Sequence, residues 1–281
     1  MLIPWLVGLL LVTMGPLIAS LALSFTDYSI FAAPKFVGLQ NYERLLGDER
    51  FWKALTVTAQ YVLLAVPLQL ALALGLALAL DRGLRGLTFY RAAFYLPSLL
   101  GTSVAIGMLW RQLFAADGLV NAFLAWFGIQ GGNWLYQPDM ALNTLIILHV
   151  WTFGSPMVIF LAGLRAIPVE VREAAMVDGA GPTRRFLSIT LPLLSPMVLF
   201  NLILQMAGAF QAFNQAYVIS EGTGRPQDST LFYTLYLYIQ GFVGYEMGYA
   251  SALAWVLVAI IGAVTAFQFW LSRKWVHYAD S

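Results

Sequence analysis

The side chains best suited to binding a ligand are five amides in one apolar stretch of the chain. At about 100° per residue, a helix would place Asn201, Gln205, Gln211 and Gln215 within about 120° of one another, whereas Asn214 departs from this stripe. Amides bind hydroxyl groups such as those of sugars, and an amide that faces lipid is costly. The stripe therefore predicts either the lining of a transport route or hydrogen bonds between neighbouring helices.

Two aromatic residues in another apolar stretch, Trp151 and Phe153, are further candidates for this lining. Aromatic faces bury apolar surface, including the apolar face of a sugar ring. Packing against neighbouring helices is the alternative interpretation for both residues. The nearby His149 is expected to be a hydrogen-bonded structural residue.

Motifs for enzyme chemistry and for nucleotide binding are absent from the sequence. It has no GxxxxGK[ST] loop to hold nucleotide phosphates, no HExxH, and no GxSxG nucleophile elbow. The chain contains no cysteine and two histidines, which are far apart in sequence, so no metal-binding cluster is expected. We therefore predict no catalytic site, no metal and no cofactor in this chain.

Six apolar stretches are long enough to cross a membrane, which takes about 20 residues. They are Leu2–Phe25, Leu55–Leu80, Phe89–Phe114, Leu142–Leu164, Leu193–Ser220 and Ala250–Leu271. The chain is 60% hydrophobic and 10% charged, too few charges for a water-soluble surface. Its net charge of +1 gives no polycationic face for nucleic acid. We predict an all-α, polytopic membrane protein of six transmembrane helices, forming a single domain over residues 1–281.

The distribution of basic residues predicts the orientation of these spans. Nine Lys and Arg side chains follow the second, fourth and sixth spans, and six lie in the opposite segments. Because basic residues accumulate on the cytoplasmic side, we expect both termini in the cytoplasm. Residues 165–192 then form the one long cytoplasmic loop.

A short helix is expected within this loop. Pro168 suits a first turn, and Glu170 and Glu173 favour the positive end of a helix dipole. Gly179 and Pro182 can end the helix. The result, Pro168–Gly179, has about three turns and is too short to span a membrane. Periodicity alone fits an ordinary interfacial helix.

The complete residue pattern of the loop resembles the EAA motif of binding-protein-dependent ABC importer permeases. The form EAAxxDGAxxxxxFxxIxLP is matched at each fixed position. The segments PLIASLALSFTDY, FVGLQNYERLL and YRAAFYLPSLL extend the resemblance to the carbohydrate-uptake subgroup, which includes the upstream maltose and glycerol-3-phosphate permeases. The motif residues expected to couple to an ATPase are Glu173, Ala174, Ala175, Asp178, Gly179, Ala180, Ile189, Leu191 and Pro192.

This resemblance implies a division of labour among subunits. The chain would pair with a second, homologous permease, while two cytoplasmic ATPase subunits bind ATP and magnesium. An extracytoplasmic solute-binding protein would deliver a sugar-like substrate at the inner membrane. The short helix would be the coupling helix, and the span after the loop would supply substrate contacts.

Three other functions are alternatives to this one. The same type of importer could carry an amino acid, a peptide or an anion. A secondary transporter is a second alternative, but the six stretches hold essentially no Asp, Glu, Lys or Arg away from their ends, where ion-coupled transporters usually keep ionisable groups. A membrane enzyme is the third, disfavoured because no nucleophile with an adjacent base is evident.

Overall fold

The computed structural model describes residues 3–81 and 86–276, and this part of the chain is helical with two isolated β-bridges and no strands. Three π-helical turns, Leu9–Met14, Phe186–Thr190 and Ile239–Val243, continue neighbouring α-helices. The α-helices are α1 (Ile3–Gly8), α2 (Gly15–Leu23), α3 (Gln40–Gly47), α4 (Glu49–Leu80), α5 (Leu87–Leu100), α6 (Val104–Leu113), α7 (Leu119–Ala125), α8 (Pro138–Trp151), α9 (Gly154–Ala166), α10 (Val169–Val177), α11 (Pro182–Arg185), α12 (Leu191–Phe210), α13 (Asn214–Ile219), α14 (Tyr233–Tyr238) and α15 (Met247–Ser272).

The predicted all-α architecture is confirmed, and each predicted span coincides with one helical segment or one bent pair of helices. Within residues 3–81 and 86–276, four helical segments are long and apolar enough to cross a membrane: Pro4–Leu23, Glu49–Leu80, Pro182–Ile219 and Met247–Ser272. Two bent pairs, α5 with α6 and α8 with α9, raise the number of spans to six when each pair counts as one.

The span predicted over Phe89–Phe114 is not one straight helix, because the chain bends by 96° between α5 and α6. The Ser103 hydroxyl accepts a hydrogen bond from the Ile106 N–H (3.3 Å) and so starts a new helix. Gly101 lies so close to Thr152 that a Cβ atom there would come within 2.1 Å of Thr152 Cγ2. Hydrogen bonding at Ser103 and the close approach at Gly101 together fix the bend.

The fourth and fifth predicted spans are also interrupted. The axis turns by 41° between α8 and α9, where a Cβ atom on Gly154 would lie 2.3 Å from the Phe94 carbonyl oxygen. In the fifth span α12 ends at Phe210 and α13 begins at Asn214. The predicted stripe of amides assumes one continuous helix over Leu193–Ser220, and this assumption does not hold beyond Phe210.

The longest helix, α4, lies at the centre of the fold and packs against α8, α9, α12 and α14. Its residues Ala65, Ala73 and Ala77 have no exposed surface. Small side chains let neighbouring helices approach closely, which is how membrane helices gain packing energy. By contrast, the segment Pro4–Leu23 is almost entirely exposed and touches the rest of the bundle mainly through α15.

Asp48 caps the N-terminus of α4 at the side of the bundle opposite residues 165–192. Its carboxylate accepts hydrogen bonds from the backbone N–H of Arg50 (3.0 Å) and Phe51 (3.3 Å). The hydroxyls of Tyr236 and Tyr249 also donate to it, the latter at 2.6 Å. Burial raises the pKa of Asp48, but these four hydrogen bonds outweigh burial and hold the pKa below its usual value.

Candidate functional site

Three helix breaks converge on one cavity of about 330 Å³. The breaks comprise residues 101–103, 152–153 and 211–213, and each contributes to the cavity wall. Irregular backbone is tolerated at membrane depth only where protein buries it or where it lines a cavity. Discontinuous helices of this kind form the substrate sites of many transporters.

Two amides of α13 hold the break between α5 and α6. The Asn214 amide nitrogen donates to the Thr102 carbonyl (3.1 Å), and that of Gln215 donates to the Gly101 carbonyl (2.8 Å). These carbonyls lie where the regular helical hydrogen-bond pattern stops. The two hydrogen bonds therefore pair carbonyl groups that have no partner within the helix. They also connect the break at residues 101–103 to the break at residues 211–213.

The break between α8 and α9 is held in the same way. The Gln69 amide nitrogen, from α4, donates to both the Thr152 carbonyl and the Thr152 hydroxyl (3.0 Å each). The Ser98 hydroxyl donates to the same carbonyl (2.9 Å) and accepts from the Ser155 N–H (2.8 Å). Side chains from α4 and α5 thus replace the hydrogen bonds that the bend removes.

Four of the five amides singled out in the sequence line this cavity: Gln205, Gln211, Asn214 and Gln215. The fifth, Asn201, lies outside it and is completely buried. Neither polar atom of its side chain has a hydrogen-bond partner within residues 3–81 and 86–276. Asn201 is therefore not placed on the same surface as the other four amides.

The two aromatic candidates do not line the cavity either. Trp151 packs against Trp110 at a ring-centroid distance of 5.8 Å, and Phe153 packs against Phe94 at 6.0 Å. The bend at residues 152–153 lets both rings contact neighbouring helices. At both positions the structure therefore has the alternative interpretation, which is packing against neighbouring helices.

His149 and Tyr61 belong to the cavity wall, and sequence reasoning did not select them as lining. The Tyr61 hydroxyl lies 2.9 Å from His149 Nδ1, so the expected hydrogen bond of the histidine is present. In the described part of the chain, no Asp, Glu, Lys or Arg side chain lines the cavity. The wall offers amide, hydroxyl, imidazole and aromatic groups, which suit a ligand rich in hydroxyls.

The short helix of the loop forms as α10, one residue inside the predicted start at Pro168 and two inside the predicted end at Gly179. Gly179 has φ +73°, its N–H bonds the Met176 carbonyl (3.1 Å), and the Ala180 N–H bonds the Ala175 carbonyl (3.0 Å). This pair of bonds is the Schellman ending of a helix. Glycine is favoured at this position because the backbone is left-handed. Crowding is not the cause, since a Cβ atom there would meet nothing within 4 Å.

The motif residues of the loop divide between a buried and an exposed side. Ala175 is buried against the bundle, whereas Glu173, Ala174 and Asp178 are exposed, and Val177 keeps 88% of its surface exposed. The exposed side of α10 is therefore available to another protein. Gly179 is also exposed, and the other four motif positions are half-buried: Ala180, Ile189, Leu191 and Pro192.

A bundle of membrane helices interrupted around a polar cavity is the architecture of a membrane transport protein. Residues 50–277 match the family described as the binding-protein-dependent transport system inner membrane component. The chain belongs to this family, which confirms the assignment predicted from the loop pattern.

Similar proteins agree with this membership. The probable ABC transporter permease protein YesP of Bacillus subtilis is 50% identical, over 98% of this chain and 90% of its own length. The lactose transport system permease protein LacF of Rhizobium radiobacter is 35% identical, over 92% and 88% of the two chains. A chain in the crystal structure of a bacterial alginate ABC transporter with its pentasaccharide-bound periplasmic protein shares the fold, with a TM-score of 0.81 at 22% identity over 98% and 93% of the two chains.

Proposed function

We propose that this chain is the permease subunit of an ATP-driven importer and forms half of a translocation pathway for a sugar or sugar derivative. The observation that carries the proposal is the cavity at the three helix breaks, whose wall holds amides and hydroxyls without fixed charge. The names of relatives support a carbohydrate cargo: one is named for the transport of lactose, one for starch degradation products and one for arabinooligosaccharides.

The complete transporter would contain a second, homologous permease, two cytoplasmic ATPase subunits and a solute-binding protein. ATP and magnesium would bind to the ATPase subunits, in keeping with the absence of a nucleotide-binding motif from this chain. The distribution of basic residues supports cytoplasmic termini. Arg82 and Arg85, which contribute to that distribution, and the C-terminal residues from His277 onwards lie outside the described residues.

Coupling would act through α10. Its exposed apolar side chains, Met176 and Val177, suit a groove on an ATPase subunit. Closure of the ATPase dimer would move α10 as a rigid body, and α9 and α12, the helices that flank the loop, would tilt with it. Because α12 carries Gln205 and ends immediately before Gln211, this tilt would open the cavity to alternate sides of the membrane.

Uptake in proteoliposomes tests the cargo. The complete complex, with its binding protein, is offered radiolabelled disaccharides and oligosaccharides, an amino acid mixture and a peptide mixture in parallel. We expect ATP-dependent accumulation of a saccharide and none of the amino acids or peptides. Accumulation of amino acids or peptides in place of every saccharide would refute the carbohydrate assignment while leaving the family membership intact.

A further inference from the structure

A carboxylate stands at the end of α4 that faces residues 165–192. Asp81 is the C-cap of α4, where the negative end of the helix dipole disfavours an anion. Two arginines offset this repulsion: Arg172 Nη1 lies 3.0 Å from one carboxylate oxygen, and Arg165 Nε lies 3.8 Å from the other. With 17% of its side chain exposed, Asp81 is well shielded from solvent. The position of this anion is explained by its arginine partners.

Arg172 makes a second contact, with the end of α9. Its guanidinium donates a hydrogen bond to the Leu164 carbonyl. In a continuing helix this carbonyl would accept from the residue four positions later, but that residue is Pro168, which has no N–H. Arg172 therefore supplies the donor that Pro168 lacks. One side chain of α10 thereby binds the ends of both α4 and α9.

The packing of α10 against the segment that follows it is less tight. A cavity of about 210 Å³ separates α10 from the turn that leads into α12, and its wall includes Ala175, Phe186 and Ile189. Asp81 and Arg172 line the same cavity. The ion pair thus directly connects α10 to α4 at the edge of a loosely filled space.

We propose that Asp81 and Arg172 form a joint that makes α10 move together with α4. This inference rests on the proposed coupling role of α10. It adds a second route by which movement of α10 reaches the cavity. Twenty residues of α4, about 30 Å at 1.5 Å per residue, separate Asp81 from Tyr61 in the cavity wall. Movement of α10 then reaches Tyr61 and Gln69 through α4 itself, as well as reaching the cavity through α9 and α12. Asp81 and Arg172 are positioning residues, since neither lines the cavity of about 330 Å³.

The test uses the assembled complex with its ATPase subunits and binding protein in proteoliposomes. Asp81→Asn and Arg172→Gln each remove one charge of the joint, and Asp81→Glu keeps the charge. Arg184→Gln is the matched control, because Arg184 is exposed and forms no ion pair within the described residues. Pull-down of the ATPase subunits and the amount of substrate accumulated per ATP hydrolysed are both measured.

We expect normal pull-down in all variants and a fall of about fivefold or more in uptake per ATP for Asp81→Asn and Arg172→Gln. The double variant should lose less than the two single variants combined, because both changes break the same ion pair. Asp81→Glu and Arg184→Gln should remain near the wild type. A contact that only stabilises the loop would lower assembly without changing uptake per ATP.

Two results would overturn the joint. Unchanged uptake per ATP in both charge-removing variants, with normal pull-down, would refute it and leave the proposed function standing. Loss of pull-down in both would assign the pair to folding of the loop and would refute the joint as well. A wild-type chain that binds no ATPase subunit would instead contradict the proposed function, and the joint would fall with it.

Discussion

Individual amides in the cavity wall have different freedom to bind a ligand. The amide nitrogens of Asn214 and Gln215 are engaged by backbone carbonyls, and that of Gln211 donates to the Ala207 carbonyl (3.0 Å). The Gln205 side chain lines the same cavity and makes no hydrogen bond to any residue that the structure describes. Gln205 is therefore the amide best placed to meet a substrate, and Gln215 is the one best placed to hold helices together.

Substitution of these two glutamines should separate the two roles. Gln205→Ala removes a hydrogen bond to substrate of about 0.5–1.5 kcal/mol, so the KM for uptake should rise roughly twofold to tenfold with normal assembly. Gln215→Ala should instead lower the thermal stability of the complex, by an amount near the average of about 0.6 kcal/mol for hydrogen bonds between membrane helices. Transport kinetics and thermal unfolding of both variants distinguish them. A normal KM in Gln205→Ala would remove that residue from the route.

Asp48 should make the fold sensitive to acid. Its pKa is lowered in the folded state, so its carboxylate stabilises the fold above the unfolded pKa of about 3.9. That contribution is lost as the pH falls through the lower, folded-state pKa. Asp48→Asn should reduce the Tm in detergent at neutral pH by a few degrees, and the difference from wild type should shrink below about pH 4. Asp117→Asn, at an exposed position, is the control, and a pH-independent difference for Asp48→Asn would contradict the argument.

The elements of the bundle were predictable from sequence to different degrees. The six apolar stretches are in the right places because length and hydropathy determine which segments can span. The breaks were not predicted, because a window of about 19 residues averages over Gly101 and Ser103. Their sequence signals are the glycines and prolines inside apolar stretches, such as Pro97 with Gly101 and Gly154 with Pro156.

The loop was more predictable than the site, since its signals are local. Capping and dipole preferences placed α10 to within two residues at each end. The contact between Asp81 and Arg172 joins residues 91 positions apart, and no local pattern reports such a pairing. Local patterns do not predict the cavity wall either, because it is assembled from three breaks on different spans.

Gly179 provides a test of α10 as a coupling element. A residue other than glycine in the left-handed conformation costs about 1–2 kcal/mol, so Gly179→Ala should loosen the end of α10, and Gly179→Asp adds bulk and charge on the exposed side. We expect Gly179→Asp to detach the ATPase subunits or abolish stimulated ATP turnover, with Gly179→Ala and Glu173→Lys weaker. Gly181→Ala is the control, because Gly181 has φ −64° and open space around it. Normal pull-down and normal stimulated uptake in Gly179→Asp and Glu173→Lys would show that the loop is only a connector.

At the scale of the whole molecule, the energy for transport should come from other subunits. The purified chain should show no ATP turnover above background, since its sequence has no phosphate-binding loop. In the assembled transporter, ATP turnover should rise when loaded binding protein is added, which is the mark of coupling between distant sites. A steady-state ATPase assay of both preparations, each with and without binding protein, is the measurement. Turnover by the isolated chain would be incompatible with the proposed division of labour.

The bend between α5 and α6 constrains the order in which the protein is built. At 14 and 10 residues, the two helices are about 21 and 15 Å long, so neither alone crosses a hydrocarbon core of about 30 Å. The carbonyls of Gly101 and Thr102 bond to donors that lie more than 110 residues later in the chain. During synthesis those donors do not yet exist when the third span enters the bilayer, where unpaired carbonyls are costly. We therefore expect the third span to enter as a continuous apolar segment and to acquire its bend only after the fifth span has been inserted beside it.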